Sequence, residues 1–366
     1  MPYKTRISTI QAGLRRKRID AVLISQPQNR RYLSGYRLDD HGIAETSGIL
    51  LILKKGSPYL LTDFRFREQA EQQAKGFEIL LYPKGIIPLL QKLLVELGIK
   101  SLAFESAYTL HSTAEKLNQL GKKLSIDMVP VTGLVENLRR IKSDSEIELL
   151  KRSVRLNEEV FQSVYSSIKG DETEIDIALK IAATMRQKGA EGESFETIVA
   201  TAAASSLPHA VPTSRKLEKN RPLLIDMGLV LNGYCSDMTR TLCLGKADKK
   251  YKEIHRIVRK AQLAGIQGVR AGVTAKAVDS AARKVIVDSG YGKQFGHALG
   301  HGVGMAVHEE PRISPKSRKK LQAGMVITIE PGIYIPGWGG VRLENMVVVK
   351  EDGCEDLNKD TTWLDI

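Results

Sequence analysis

Over about the first 127 residues, short apolar runs alternate with segments of helical spacing. Runs at 21–25 (AVLIS), 48–56 (GILLILKKG), 58–63 (PYLLTD), 77–82 (FEILLY) and 101–105 (SLAFE) have the length of strands. Between them, Phe66–Lys75, Ile87–Leu97 and His111–Leu120 place apolar residues at the spacing of a helix resting one face on a sheet. This predicts an α/β domain. The pattern changes near Met128–Thr132, and Leu134–Ile141 leads into Ser143-Asp144-Ser145-Glu146, where Ser143 can cap a helix and Glu146 can reach back to it. A helix to about Lys169 and a second from Glu174 to a stop at Gly189 are expected, followed by a strand-rich stretch. Helices segregated from antiparallel strands read as α+β. The expected division is therefore an α/β domain at 1–129 and an α+β domain at 130–366.

Composition supports two folded domains. The chain has 366 residues, more than one core usually organises, with 42% apolar and 27% charged residues. No run approaches the ~20 apolar residues a membrane helix needs, and the basic N-terminal segment is followed by only a short apolar run without a small-residue cleavage site. Three cysteines, Cys235, Cys243 and Cys354, fit neither a disulfide framework nor C-x-x-C metal spacing. A cytoplasmic location is expected. The net charge of +13 raises the question of nucleic acid. The densest basic cluster, Arg15 to Arg18, reads instead as the solvated face of an amphipathic helix before the strand at 20–25, because no aromatic or glycine pattern of a binding module accompanies it.

Candidate chemistry gathers in the C-terminal half, where four of seven histidines lie: His209, His297, His301 and His308. In LLIDMGLVLNGYCSDMTRTLCLG, Asn232-Gly233 is a strong hairpin signal. With that turn Asp226 lies opposite Thr239, and Asp237 projects from the same face, ~7 Å or less from Asp226 as a diagonal neighbour. Two acids on one face repel, so either the hairpin is a solvated edge or a cation lies between them. The hairpin by itself does not decide. A second apolar pair, GMVITIEPGIYIPGWGGVRLENMVVV, repeats the anomaly with Glu330 and Glu344, and His301 lies in GHALGHGVG. Four carboxylates and one imidazole suit two hard or borderline divalent ions, which at ~3.5–4 Å separation hold a hydroxide and polarise a carbonyl. No G-x-x-x-x-G-K-[ST] or G-x-S-x-G occurs, so a phosphate loop or a serine hydrolase finds no support. The glycines of GHALGHGVG read as letting the backbone come close to the site.

The ordered set Asp226, Asp237, His301, Glu330 and Glu344, with LPHA before it and HEEP within it, resembles the pita-bread metallopeptidases. NRRYLSGY at 29–36 and LTDFRFREQA at 61–70 resemble the N-terminal domain of the branch that contains Xaa-Pro dipeptidases and Xaa-Pro aminopeptidases. The resemblance implies a pita-bread catalytic domain after a smaller creatinase-like α/β domain. It implies hydrolysis of the bond before a proline in dipeptides or short peptides by attack of a metal-bridging hydroxide. It also implies two divalent ions, manganese or cobalt before zinc or iron, and a homodimer. Asp226, bidentate Asp237, His301, Glu330 and bridging Glu344 would be the ligands, with Glu330 also shuttling the proton. His209 would assist the substrate or oxyanion, His308 would lie beside the scissile group, and His297 would line the proline pocket. Arg312 and Arg342 resemble arginines that bind the substrate carboxylate or support a ligand. The chain departs from the pattern at Ala202-Ala203-Ala204, where members often have Gly, Pro and Asn, and at Ala298, where glycine is usual. The alternative from another class is a non-catalytic binding protein on the same fold, with protein or nucleic acid as its partner.

Overall fold

The computed structural model describes residues 3–38, 40 and 42–366. Its backbone separates into two units, one up to Arg139 and the other from Arg140 on. The first unit is built on a mixed six-stranded sheet in the order Glu78–Leu81, Tyr59–Thr62, Ile49–Leu53, Ala21–Ile24, Ser101–Glu105, Asp127–Val131. Ala21–Ile24 runs antiparallel to Ile49–Leu53 and parallel to Ser101–Glu105. All four of its side chains are buried, which is why it reads as an unbroken apolar run rather than an alternating one. The helix Tyr3–Lys17 buries Ile7, Ile10 and Leu14 and leaves Arg15–Lys17 in solvent, the solvated basic face expected of it. The break falls at 139/140 rather than 129/130. The strand Asp127–Val131 pairs with Ser101–Glu105 over its whole length, and Arg139 Nη1 donates to Asn29 Oδ1 at 2.7 Å, so this segment stays with the first unit.

In the second unit the helix Asp144–Tyr165 starts where the Ser143 cap places it, and Glu174–Gln187 starts at the expected Glu174, behind a capping box at Thr173. Glu146 accepts from Ser143 N at 3.0 Å and from Ser143 Oγ at 2.6 Å. Asp176 accepts from Thr173 N at 2.9 Å and returns its own N–H to Thr173 Oγ1 at 3.2 Å. The strand-rich stretch expected after Gly189 omits a second helix pair, Lys249–Gln267 and Ala275–Asp288, capped by Asp248 and Thr274. Tyr251, Ile254, Val258, Ala261 and Gly265 recur at helical spacing there and are buried.

Each helix pair covers one face of antiparallel strands. Val160, Phe161, Ile181 and Met185 pack on Leu223, Ile225, Met227, Met238 and Leu242, while Ile254, Val258, Val278 and Ala282 pack on Ile327, Ile329, Val347 and Val349. Fully burying each such side chain is worth roughly 1.5–3 kcal/mol relative to exposure, so these contacts decide which face of each strand turns to the helices. Strand side chains alternate. The face away from the helices therefore carries Leu224 and Asp226 on one strand and Thr328 on another, with Glu330 next in the same alternation.

Candidate metal centre

Asn232 and Gly233 have φ of 51° and 81°, the paired left-handed residues of a type I′ turn. From it the register runs Val230↔Cys235 and on to Asp226↔Thr239, so Asp226 and Asp237 are diagonal neighbours on one face. The second hairpin keeps a single register through a bend, from Val326↔Val348 and Ile329↔Asn345 to Gly332↔Arg342 and Ile335↔Gly339, which sets Glu330 across from Glu344. Glu344 N donates to Thr239 O at 3.1 Å, joining the two hairpins. His301 enters from the short strand Gly300–Gly302. Gly300 is required there: a Cβ at this position would lie 2.1 Å from Thr328 O.

One imidazole and the acids now converge. Asp237, His301 and Glu344 each offer a ligand atom, and these atoms lie within 4.8 Å of one another. His301 Nε2 is 3.6 Å from Asp237 Oδ2 and 3.5 Å from Glu330 Oε1. His301 Nδ1 lies 3.1 Å from Gly302 O. A carbonyl only accepts, so Nδ1 carries the proton and Nε2 presents a lone pair. Burial, then the neighbouring His308, lower the His301 pKa to about 4, which keeps the ring neutral. A lone pair aimed at two carboxylates is repulsive unless a metal cation or a proton stands between them. Asp226 Oδ1 and Glu344 Oε1 are buried without a hydrogen-bond partner. Burial and the mutual repulsion of the acids raise the pKa of Asp237 and Glu330 and push Glu344 to about 8. Oxygen donors with one neutral nitrogen, two orphaned carboxylate oxygens and more acids than the one Arg342 guanidinium can balance fit divalent cations.

A hydrogen-bonded frame holds the acids. Arg342 Nη2 donates to Asp226 Oδ2 at 2.6 Å, Nε to Thr239 Oγ1 at 3.0 Å and Nη1 to Tyr334 OH at 2.8 Å. Thr239 Oγ1 in turn donates to Glu344 Oε2 at 2.8 Å, and Arg240 Nη1 donates to Glu344 O at 2.7 Å. His297 Nδ1 pairs with Ala298 O at 2.8 Å, so its Nε2 accepts from Tyr334 OH at 3.0 Å. Burial lowers the His297 pKa to about 4 and raises that of the Tyr334 phenol to about 12, so both stay neutral and the chain keeps one direction. Sequence reasoning missed Tyr334, Thr239 and Arg240 as part of the site. Thr239 was visible as the partner of Asp226, whereas the tyrosine of PGIYIPG gave no signal beyond a strand residue.

Of the expected residues, Asp226, Asp237, His301, Glu330, Glu344 and Arg342 come together in one cluster. His297 joins through Tyr334, and His308 lies against His301 with ring centroids 4.4 Å apart at 72°. His209 and Arg312 are exposed, the latter on the strand Glu309–Ile313. The loop before His209 is fixed. Ser205 Oγ donates to Ala202 O at 2.6 Å and accepts from Gly340 N at 2.8 Å, and Arg342 Nη1 reaches Pro208 O at 3.2 Å. Ala202 is held at φ 48°, a left-handed conformation at the position where glycine was expected.

A comparison with protein-family models matches residues 148–351 to metallopeptidase family M24 and residues 6–141 to the creatinase/prolidase N-terminal domain. An uncharacterised peptidase of Bacillus subtilis, YqhT, is 38% identical over 335 residues, covering 92% of each chain. A Pyrococcus horikoshii protein named Xaa-Pro dipeptidase is 34% identical over 342 residues, 93% of each chain. Among solved structures, an Xaa-Pro dipeptidase from Bacillus anthracis superposes with a TM-score of 0.90 at 37% identity, covering 98% of both chains. An X-Pro aminopeptidase from Thermotoga maritima superposes with 0.85 at 35%, covering 94% of this chain and 98% of its own.

Proposed function

The chain belongs to metallopeptidase family M24, and from that premise we propose that it is an Xaa-Pro dipeptidase, a metal-dependent exopeptidase that cuts the bond between an N-terminal residue and a following proline. The observation that carries the reading is the His301 Nε2 lone pair facing Asp237 and Glu330 beside the unpartnered oxygens of Asp226 and Glu344. We assign Asp226, Asp237, His301, Glu330 and Glu344 as ligands of two divalent ions, with manganese or cobalt as the first candidates. Bound there, the ions supply Lewis acidity and a water acidic enough to yield a nucleophile near neutral pH. Dipeptidase rather than aminopeptidase action is favoured by the names of the relatives in Pyrococcus horikoshii and Bacillus anthracis.

The chain's own residues supply the rest. Glu330, less enclosed than Glu344, takes the proton of the attacking water at a carboxylate oxygen and delivers it to the departing proline nitrogen. His308 and His209, on the exposed side, donate to the carbonyl oxygen as charge develops on it. His297, locked by Tyr334, offers a neutral ring to the proline. Arg312 meets the free carboxylate of the dipeptide. The three cysteines are free, which supports a cytosolic site of action. Among the described residues no helix is long and apolar enough to cross a membrane. The alternative of a non-catalytic binding protein finds no support in the comparisons or in the site.

The test is hydrolysis of Ala-Pro and of Ala-Pro-Ala by manganese- and cobalt-loaded protein, with and without chelator. Cleavage of Ala-Pro abolished by chelator is expected. A metal-loaded protein that cleaves neither peptide sinks the reading, and preference for the tripeptide turns it to an aminopeptidase.

A further inference from the structure

Lys142 and Glu309 form an ion pair, Nζ to Oε2 3.3 Å, with side chains only 1% and 7% exposed. Neither residue has a role in the mechanism above. A buried ion pair is in general no more stabilising than apolar side chains of the same volume, because desolvation offsets the attraction. Its place in the fold says what it holds. Glu309 directly follows His308 and opens the strand Glu309–Ile313. The loop Val303–His308 is wrapped around its carboxylate. Oε1 accepts from Ala306 N at 3.0 Å, and Gly304 N closes a turn onto Ala306 O at 3.1 Å. The carboxylate fills the concave side of that turn so closely that a Cβ at Gly304 would lie 2.6–2.9 Å from its atoms.

Both ends of the arrangement are anchored. Lys142 N donates to Gly324 O at 2.9 Å, so the ammonium is delivered from backbone fixed to the sheet. Val303 N donates to Val326 O at 3.0 Å and Cys235 N to Gly304 O at 2.8 Å. His301 is held separately, by its N–H on Thr328 Oγ1 at 3.1 Å and its Nδ1 on Gly302 O. The ring that this loop aims at the metal centre is His308.

We propose that Lys142 is a positioning residue for His308: its ammonium fixes the Glu309 carboxylate around which the loop Val303–His308 folds, and so sets where the His308 imidazole stands. This rests on the reading that His308 touches the substrate. A side chain displaced by about 1 Å in an active site costs up to ~100-fold in rate. Loss of Lys142 therefore shows in turnover through His308, with the metal ligands left in place.

The experiment uses the full-length, manganese-loaded protein with Ala-Pro as substrate, and compares Lys142→Met, Lys142→Arg, the charge-free pair Lys142→Met/Glu309→Gln, His308→Ala and His308→Ala/Lys142→Met. Lys142→Met lowers kcat by about 10–100-fold, the range for outer partners of a metal site, with KM and bound manganese unchanged. Lys142→Arg restores most of the loss. In the His308→Ala background, Lys142→Met changes kcat by less than about twofold, because the two act on one step. If Lys142→Met fails to fold, the charge-free pair, which removes both charges of this ion pair together, carries the same expectation. Wild-type kcat in folded Lys142→Met, or in the charge-free pair where Lys142→Met does not fold, overturns the proposal. So does an equal loss in both backgrounds, or a loss traced to missing manganese. If His308→Ala itself leaves kcat unchanged, the role of His308 fails and the proposal with it; if His308→Ala lowers kcat while Lys142→Met does not, the proposal alone fails.

Discussion

Arg342 and Asp226 form an ion pair at 2.6 Å, with side chains 3% and 11% exposed, and this contact ties the two acidic hairpins together. Three nitrogens of the guanidinium serve three different groups, Asp226, Thr239 and Tyr334, and through Thr239 the fork also orients Glu344.

Lysine keeps the charge of Arg342 but has no planar fork. Arg342→Lys is therefore expected to lower kcat/KM for Ala-Pro by about 10–100-fold, the range seen when outer partners of a metal site are lost. Steady-state rates with parallel metal analysis check it. Activity within twofold of wild type would show that charge alone suffices.

The carboxylates set a pH dependence for the metal-free protein. The folded-state pKa of Glu344 is raised to about 8, and those of Asp237 and Glu330 are raised as well, all by burial first and then by one another. An unfolded glutamate titrates near 4.3. Between these values the folded chain binds protons that the unfolded chain has released, so stability falls as pH rises from about 4.3 to about 8. A bound cation competes with those protons, so the stabilisation by manganese grows over the same window. Melting curves with chelator and with manganese at pH 5, 6.5 and 8 give the comparison; a gap that shrinks with pH contradicts it.

Ala202 sits at φ 48°, where an L side chain costs ~1–2 kcal/mol and glycine does not. Glycine returns part of that through its larger unfolded-state freedom, about 0.4–1 kcal/mol. Ala202→Gly is thus expected to stabilise the protein by about 0.5–1 kcal/mol, read from urea unfolding. A destabilised variant would mean that packing of the buried methyl group outweighs the backbone term.

Gly300 leaves no room for a side chain, since a Cβ would meet Thr328 O at 2.1 Å. Gly300→Ala must move the strand that carries His301, with an expected loss of about 1–3 kcal/mol in stability. Because His301 moves with the strand, manganese affinity falls as well. Titration of the metal-free variant with manganese checks this, and wild-type affinity would show that the neighbouring strand gives way instead.

Much of the centre was legible in the sequence. Asn232-Gly233 fixed a register that brought Asp226 opposite Thr239 and beside Asp237, because a two-residue turn with both φ positive leaves one pairing. The cap at Ser143 marked the start of one helix, since capping is decided within four residues, while the Thr173 cap of the next helix was equally local and went unread. The second helix pair was legible too, in the spacing of Tyr251, Ile254, Val258 and Ala261, and was obscured by the strand-like sequence around it. What the sequence by itself determined is local: turn type, helix ends, which strand face is apolar, and which residue types are available as ligands. What only the tertiary structure decided is the meeting of elements far apart in the chain: Tyr334 between His297 and Arg342, Lys142 against Glu309, and a left-handed alanine whose carbonyl lies against Gly339. Those distances come from two helix pairs burying apolar faces against separate strand pairs, a packing free energy summed over the whole unit that no short stretch of sequence encodes.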